Sequence, residues 1–253
     1  MIRRLYIFIL LWLIFYAKTA IAVTEWHKVI KGVEYTKLEY PRGFTFGQLH
    51  AFRIDPNSYQ LKLSFANEYS GIFSGARGLT RLKQGILGVN GGFFTPQLLP
   101  LGLRVSDGVE IRPIKNTSWW AVFLMRGNTP SIVHSRNYHY YSDVDFAIQA
   151  GPRLIIDGMV PKLRDGLANR TALGITSDKK IVIVATQNLS ISTTELANIM
   201  RSPEEAEGLD CVDALNLDGG SSTQLYANIK HFHVHVPSFV PVADAVVVVP
   251  RSQ

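Results

Sequence analysis

Polar and apolar positions alternate through much of the chain. "FGQLHAFRI" (Phe46–Ile54) and "YQLKLSF" (Tyr59–Phe65) change character residue by residue, the period of a strand with one buried face. Between them "DPNS" (Asp55–Ser58) predicts a turn. Further strands are predicted at Ile86–Val89, Leu101–Val105, Trp119–Leu124, Phe146–Gln149, Ala172–Thr176, Ile181–Ala185 and Ala243–Val249. The Ile86–Val89 and Ile181–Ala185 runs contain no polar position, which predicts strands covered on both faces.

Helical periodicity is rarer. "ARGLTRLKQG" (Ala76–Gly85) predicts a short helix with Gly85 as its stop. "STTELANIM" (Ser192–Met200) opens with a capping box, Ser192 and Glu195, and places Leu196, Ile199 and Met200 on one face. "SPEEAEG" (Ser202–Gly208) predicts one more turn, capped by Ser202, with Pro203 first and Gly208 last. Val23–Tyr40 reads as a separate leading strand or a partly ordered lead. With no repeat, low-complexity tract or linker, the pattern predicts a single α+β domain over residues 23–253. Its sheet is large and mixed, mostly antiparallel, and its helices are few and short.

The first residues read differently. Arg3 and Arg4 precede the apolar run Leu5–Ala17, and "AIA" (Ala20–Ala22) has the small residues that signal peptidase reads. A signal peptide over 1–22 is expected, and with it a secreted or periplasmic protein that keeps no stable membrane span after cleavage. An uncleaved anchor is the second reading, but the run is short beside the roughly 20 residues of a spanning helix. At 253 residues, 47% hydrophobic and 18% charged, the chain has the composition of a globular protein with a sizeable core. The formal charge of +6 falls to +3 without residues 1–22, since 26 − 3 leaves 23 bases against 20 acids. There is no Lys/Arg run or basic helix, so no nucleic-acid partner is expected. Cys211 is the one cysteine, which rules out an internal disulfide and predicts a buried thiol rather than a nucleophile.

Five segments share a character: a strand pattern that ends on glycine and a polar or charged residue. In "GVNGGFF" (Gly88–Phe94), Asn90–Gly91–Gly92 reads as a turn or as backbone made for close approach. In "LGLRVSDGVEI" (Leu101–Ile111), Asp107–Gly108 predicts a hairpin turn, and Arg104 alternates onto the face opposite Leu103 and Val105, as a solvated strand residue would. In "AIQAGPRLIIDGMV" (Ala147–Val160), Arg153 follows a Gly-Pro break and Asp157–Gly158 is a structural turn. In "NRTALGITSDKKIVIVA" (Asn169–Ala185), a hairpin turns at Ser177–Lys180. Arg170 and Thr171 stand at its start, the arginine either a surface cation or a planar fork for an anion. "LNLDGGSST" (Leu215–Thr223) ends a strand on Asp218, and the Gly219–Ser222 amides have the makings of an anion cradle. The lysine of a phosphate-binding P-loop and the spacing of a nucleophile elbow are both missing. "HFHVH" (His231–His235) puts three histidines on one strand face; without a nearby carboxylate, a surface face is favoured over a metal site.

In their order along the chain, "NGGFF", "GLRVSDG", "GPRLIIDG", "RTALGI" and "LNLDGGSST" resemble the phosphodiester glycosidase family. The resemblance extends from about Gly88 to Val249. It implies a hydrolase that cleaves a sugar-1-phosphodiester linkage in envelope or extracellular glycans, with a carbohydrate phosphodiester as partner and with neither cofactor nor metal. The family pattern falls on Asn90, Gly91, Gly92, Asp107, Arg170, Thr171, Asn216, Asp218, Gly219, Gly220 and Ser222. Of these, Asp218, Arg170 and Asp107 are the expected catalytic residues, and the others, with Arg104, Arg153 and Ser221, the expected substrate contacts. Asp218 would face the anomeric carbon as charge stabiliser or base, and an arginine would neutralise the departing phosphate. The sequence departs from the pattern at Ala185–Thr193, at Ser238–Val246 and at Ser221, where a third glycine is usual. A glycan-binding protein of the same fold and a metal-assisted phosphodiesterase are the alternatives.

Overall fold

Strands form where the alternation predicts them, and the polar ends of those strands converge. The structure, a computed structural model, describes residues 23–42, 45–71, 73–139 and 141–251. The expected signal segment lies outside the described residues.

The elements, in chain order, are β1 (His27–Ile30), β2 (Val33–Arg42), β3 (Thr45–Ile54), β4 (Tyr59–Phe65), α1 (Ala76–Leu82), β5 (Leu87–Asn90), β6 (Arg104–Ser106), β7 (Val109–Arg112), β8 (Ala121–Arg126) and β9 (Thr129–His134). They continue with β10 (Val144–Ala150), β11 (Arg153–Ile155), β12 (Thr171–Thr176), β13 (Ile181–Gln187), α2 (Thr193–Arg201), β14 (Cys211–Asn216), β15 (Leu225–Ile229), β16 (Phe232–Val236) and β17 (Asp244–Pro250). The α+β class is as expected. The sheet system divides into a seven-stranded sheet, β1-β2-β3-β13-β12-β14-β11, and two five-stranded sheets, β7-β6-β10-β8-β9 and β16-β15-β5-β17-β4. Adjacent strands in the described residues run antiparallel.

One core joins all three sheets. It contains Phe52, Ile183 and Leu215 of the first, Phe123 and Phe146 of the second, and Val89 and Val246 of the third. The seven-stranded sheet buries its other face too, against α2. In β13, Ile181, Ile183 and Ala185 enter the shared core, while Val182 and Val184 meet Leu196, Ala197 and Met200 of α2. Two-sided burial is what the unbroken apolar run predicted, each such side chain contributing about 1.5–3 kcal/mol. Cys211 lies under α2, fully buried, and burial pushes its thiol pKa up. That is the inert thiol expected.

Local signals hold where the partners are local. Ser192 caps α2 and exchanges capping-box hydrogen bonds with Glu195. Asp107 and Gly108 both take positive φ in the β6–β7 hairpin. Val23–Tyr40 contributes β1 and β2, a hairpin at the edge of the seven-stranded sheet rather than a loose lead.

Several expectations are corrected. β6 begins at Arg104 rather than Leu101, because the Leu101 and Leu103 amides donate to Phe93 O and Gln149 Oε1 instead of to a ladder. β8 begins at Ala121, leaving Trp119 outside it. The left-handed residue after α1 is Gln84; Gly85 is demanded by packing, since a Cβ there would sit 2.1 Å from Val247. Ser202 terminates α2, and Pro203 precedes a 3-10 turn at Glu204–Ala206. β5 does not end in a hairpin: it lies between β15 and β17. Among the described residues, no helix is long and apolar enough to cross a membrane.

Candidate active site

Four strand ends from two sheets meet at one place: the end of β5, the start of β17, the start of β12 and the end of β14. Asn90, the last residue of β5, fastens them. Its Oδ1 accepts from Thr171 Oγ1 of β12 at 2.7 Å and from the Gln224 amide at 3.0 Å. Its Nδ2 donates to Asp218 O at 2.8 Å and to Gly91 O at 3.3 Å. The backbone completes the junction, with Asp218 N donating to Gly91 O and Gly91 N to Asp244 O. Asn90 is 1% exposed, and the fold uses its hydrogen-bonding capacity in full. It positions Asp218 from behind.

A cavity of about 700 Å³ opens where Asp218 leaves β14. Asp218, Arg170 and Asn216 line it, together with Lys162, Arg164 and Asp165 of the loop before β12. The Gly219 amide donates to Asp218 Oδ1 at 3.0 Å, orienting the carboxylate. Burial pushes the Asp218 pKa above the ordinary aspartate range. Hydrogen bonds from Ser222 and Gly219 oppose that rise, and the charge of Asp244 adds to it. Arg170 is half-buried; its Nε donates to Ile191 O at 3.1 Å and its Nη2 to Gly166 O. Two carboxylates line the cavity, but Asp165 is occupied at the start of α2, where it accepts from Thr194 N at 3.1 Å and Thr194 Oγ1 at 2.7 Å. Asn216 donates through Nδ2 to Gly151 O at 3.1 Å, while its Oδ1 is buried without a protein partner. Trp119, 53% exposed, stands at the cavity beside Phe93 and packs edge-on against Trp120 at 5.7 Å.

Directly behind the junction lies a buried ion pair. Arg104 Nε donates to Asp244 Oδ2 at 2.5 Å, and the two side chains are 0% and 1% exposed. Arg104 Nη1 also donates to Leu101 O, Leu103 O and Gln149 O. Burial drives the Asp244 pKa upward and the guanidinium opposes it. Gly91 and Gly92 fit over this pair because they have no side chain: a Cβ on Gly91 would lie 1.9 Å from Asp244 Oδ1, and one on Gly92 would lie 2.6 Å from Arg104 Nη2.

The family model for phosphodiester glycosidase matches residues 83–249. The chain belongs to the phosphodiester glycosidase family. Among solved structures it is similar to the catalytic domain of zebrafish N-acetylglucosamine-1-phosphodiester α-N-acetylglucosaminidase, described as auto-inhibited by its pro-peptide. The TM-score is 0.66 at 15% identity, covering 90% of this chain and 87% of that one. A hypothetical protein from Synechocystis gives 0.62 at 15% identity, covering 90% and 64%. A putative exported protein from Burkholderia pseudomallei gives 0.52 at 16%, covering 81% and 74%. At these identities the structures establish a shared fold. No curated protein sequence matches the chain.

On this phosphodiester glycosidase fold, the predicted site residues separate into three groups. Asp218, Arg170, Asn216, Gly219 and Gly220 line the cavity. Asn90, Gly91, Gly92 and Thr171 form the wall behind, with Ser222, which hydrogen-bonds Asp218. Ser221 is exposed, and its carbonyl accepts from Ser238 Oγ at 2.5 Å. The rest lie elsewhere. Asp107 occupies the exposed β6–β7 turn, 2.8 Å from Lys62 Nζ, and Arg153 pairs with Asp213 at 3.2 Å. Arg104 does not face solvent, because β6 is covered on both sides and Asp244 neutralises it. The amide cradle is corrected as well. The Gly219, Gly220 and Ser222 amides donate to Asp218 Oδ1, Asn169 O and Gly219 O, so three of the four expected cradle donors are taken within the protein. The histidines are on edge strand β16 and its turn; His231, His233 and His235 are exposed, as expected of a surface face. Among the described residues, no group of three or more His, Cys, Asp or Glu is placed to hold a metal ion.

Sequence reasoning missed Asp244, Trp119, Lys162 and Arg164. Asp244 had a signal: a lone carboxylate at the head of the apolar run Ala245–Val249, the mirror of Asp218 at the end of one. "PKLRDGLAN" (Pro161–Asn169) had another, a charged loop with no strand or helix period between two predicted strands.

Proposed function

We propose that the protein hydrolyses a sugar-1-phosphodiester, cleaving between the anomeric carbon and the phosphodiester oxygen. The observation that carries this reading is the meeting of Asp218 and Arg170 in one cavity that also contains Lys162 and Arg164. Three cations face two carboxylates there, so the cavity suits a substrate with one negative charge. The zebrafish relative's name specifies the same class of bond.

The chemistry follows from the residues. A phosphate monoester leaves readily and requires charge neutralisation more than protonation. Arg170 supplies a planar fork for it, and Lys162 and Arg164 add field. As the bond breaks, positive charge grows on the sugar ring. The ionised Asp218 carboxylate, in its half-buried site, stabilises that charge or takes the proton of the attacking water. The Trp119 ring, exposed at the cavity, offers an apolar face to the sugar. The charged loop thus does the work that the sequence assigned to the Gly219–Ser222 amides. The basic, apolar start of the chain and its "AIA" support action on envelope or extracellular glycans after export to the periplasm or outside the cell.

Turnover of a sugar-1-phosphodiester in ¹⁸O-labelled water tests the reading. The label should appear in the released sugar; label in the phosphate would make the protein a phosphodiesterase instead. Saturable binding with no product would make it a glycan-binding protein. Arg170→Met should lower kcat/KM by about 10- to 100-fold, the loss of one or two charged hydrogen bonds, while the circular dichroism spectrum stays unchanged.

A further inference from the structure

The turn that carries Asp218 to the cavity ends near Gln224, and Gln224 lines a second cavity, of about 640 Å³. Arg77 and Arg81 of α1, one helical turn apart, form part of its wall with His235 and Ser238. Among the described residues, no Asp or Glu lines it. Both guanidinium groups lie over the ring of Tyr226, 5.8 Å and 5.5 Å from its centre, and His235 meets that ring edge-on at 5.8 Å.

These two arginines are neutralised by no carboxylate among the described residues, whereas Arg53 pairs with Glu34 and Glu204, and Arg104, Arg126 and Arg153 each pair with one carboxylate. The remaining residues of the chain include no Asp or Glu that could serve. Like charges one turn apart repel, so the arrangement costs helix stability unless an anion sits between them. The tyrosine ring restrains both forks through cation–π contact and so lowers the entropy lost on binding. Burial, and after it the charge of Arg77, lower the His235 pKa.

We propose that this second cavity binds a phosphate-bearing anion, its oxygens held by the Arg77 and Arg81 guanidinium forks. The site is separate from the Asp218 cavity and does not depend on the hydrolytic reading. A phosphate ester of a soluble glycan and a phospholipid headgroup share the required chemistry.

Phenylglyoxal labelling of the purified protein, read by peptide mass spectrometry, tests it with glycerol phosphate as the probe. Saturating glycerol phosphate should slow labelling of Arg77 and Arg81 about tenfold, and leave surface-paired Arg126 at its rate in sodium chloride of equal ionic strength. The R77Q/R81Q variant should lose calorimetric binding of glycerol phosphate, and Arg170→Met should keep it. Equal slowing at all arginines, or none, would overturn the proposal; so would loss of binding in Arg170→Met, which would place the anion in the first cavity. Phosphatidylglycerol and phosphatidylcholine vesicles separate the sources. Protection by both glycerol phosphate and phosphatidylglycerol supports the site and extends it to headgroups, while protection by vesicles alone would make it a membrane contact and not a phosphate site.

Discussion

Asp218→Asn is expected to reduce kcat/KM for a sugar-1-phosphodiester by about 10²- to 10⁴-fold, the usual contribution of a positioned acid or base. The substitution keeps an acceptor for the Gly219 amide and removes only the charge. The fold should survive, and a second measurement makes that check sharp. Burial raises the folded-state pKa of Asp218 above the 3.8 of an ordinary aspartate. Between those two values the native state keeps a proton that the unfolded chain has released. The stability from protonated Asp218 is therefore fully present below 3.8 and lost as pH rises through the raised folded value. At neutral pH the ionised carboxylate is a cost, so Asp218→Asn should melt no lower than wild type there. Activity runs the other way. In the proposed mechanism the ionised form does the chemistry, so kcat/KM should fall as the solution is acidified, with a midpoint above 3.8 that disappears in the variant. A variant as active as wild type would remove Asp218 from the mechanism. A variant that is inactive but melts well below wild type at neutral pH would show a structural role instead.

Arg104→Met should produce the largest loss of stability in the molecule. It leaves the Asp244 carboxylate buried without its partner, a change that costs about 3–5 kcal/mol. In a protein of this size that corresponds to a fall in Tm of roughly 6–20 °C. Without the guanidinium, burial acts on Asp244 unopposed and its pKa rises further. The deficit should therefore be smaller at pH 4, where the carboxyl takes up a proton, than at pH 8. R104M/D244L should recover part of the loss, because both buried charges are then gone. Urea melts of the three proteins at both pH values provide the comparison; Arg104→Met unfolding within 0.5 kcal/mol of wild type would refute the structural role assigned to the pair. Activity should fall as well. Asp244 O holds the Gly91 amide and Gly91 O holds the Asp218 amide, so displacement at the pair reaches the carboxylate through two hydrogen bonds.

What was legible in the sequence depended on how far apart the partners lie. The α2 cap and the Asp107–Gly108 turn each involve residues a few positions apart, and the chain states them directly. The unbroken run of β13 announced two buried faces, since neither face offers a polar residue to water. Asp218 and Arg170 were legible as strand-end residues whose character conflicts with the apolar strands they border, and each lines the cavity.

Alternation assigns a side chain to one face of a strand but does not say what covers that face. Arg104 was assigned correctly to the face opposite Leu103, and wrongly to solvent, because its cover comes from Asp244, 140 positions away. Asn90 read as a turn for the same reason: the groups that fill its hydrogen bonds belong to Thr171, Asp218 and Gln224. The amide cradle failed because Asn169 O and Asp218 Oδ1 reach those donors first. The sequence determined the elements, their buried faces and the motif residues, since these follow from local periodicity and local hydrogen bonding. Only the tertiary structure decided which motif residues face the cavity and which brace it, because that depends on which strand ends the sheet order brings together.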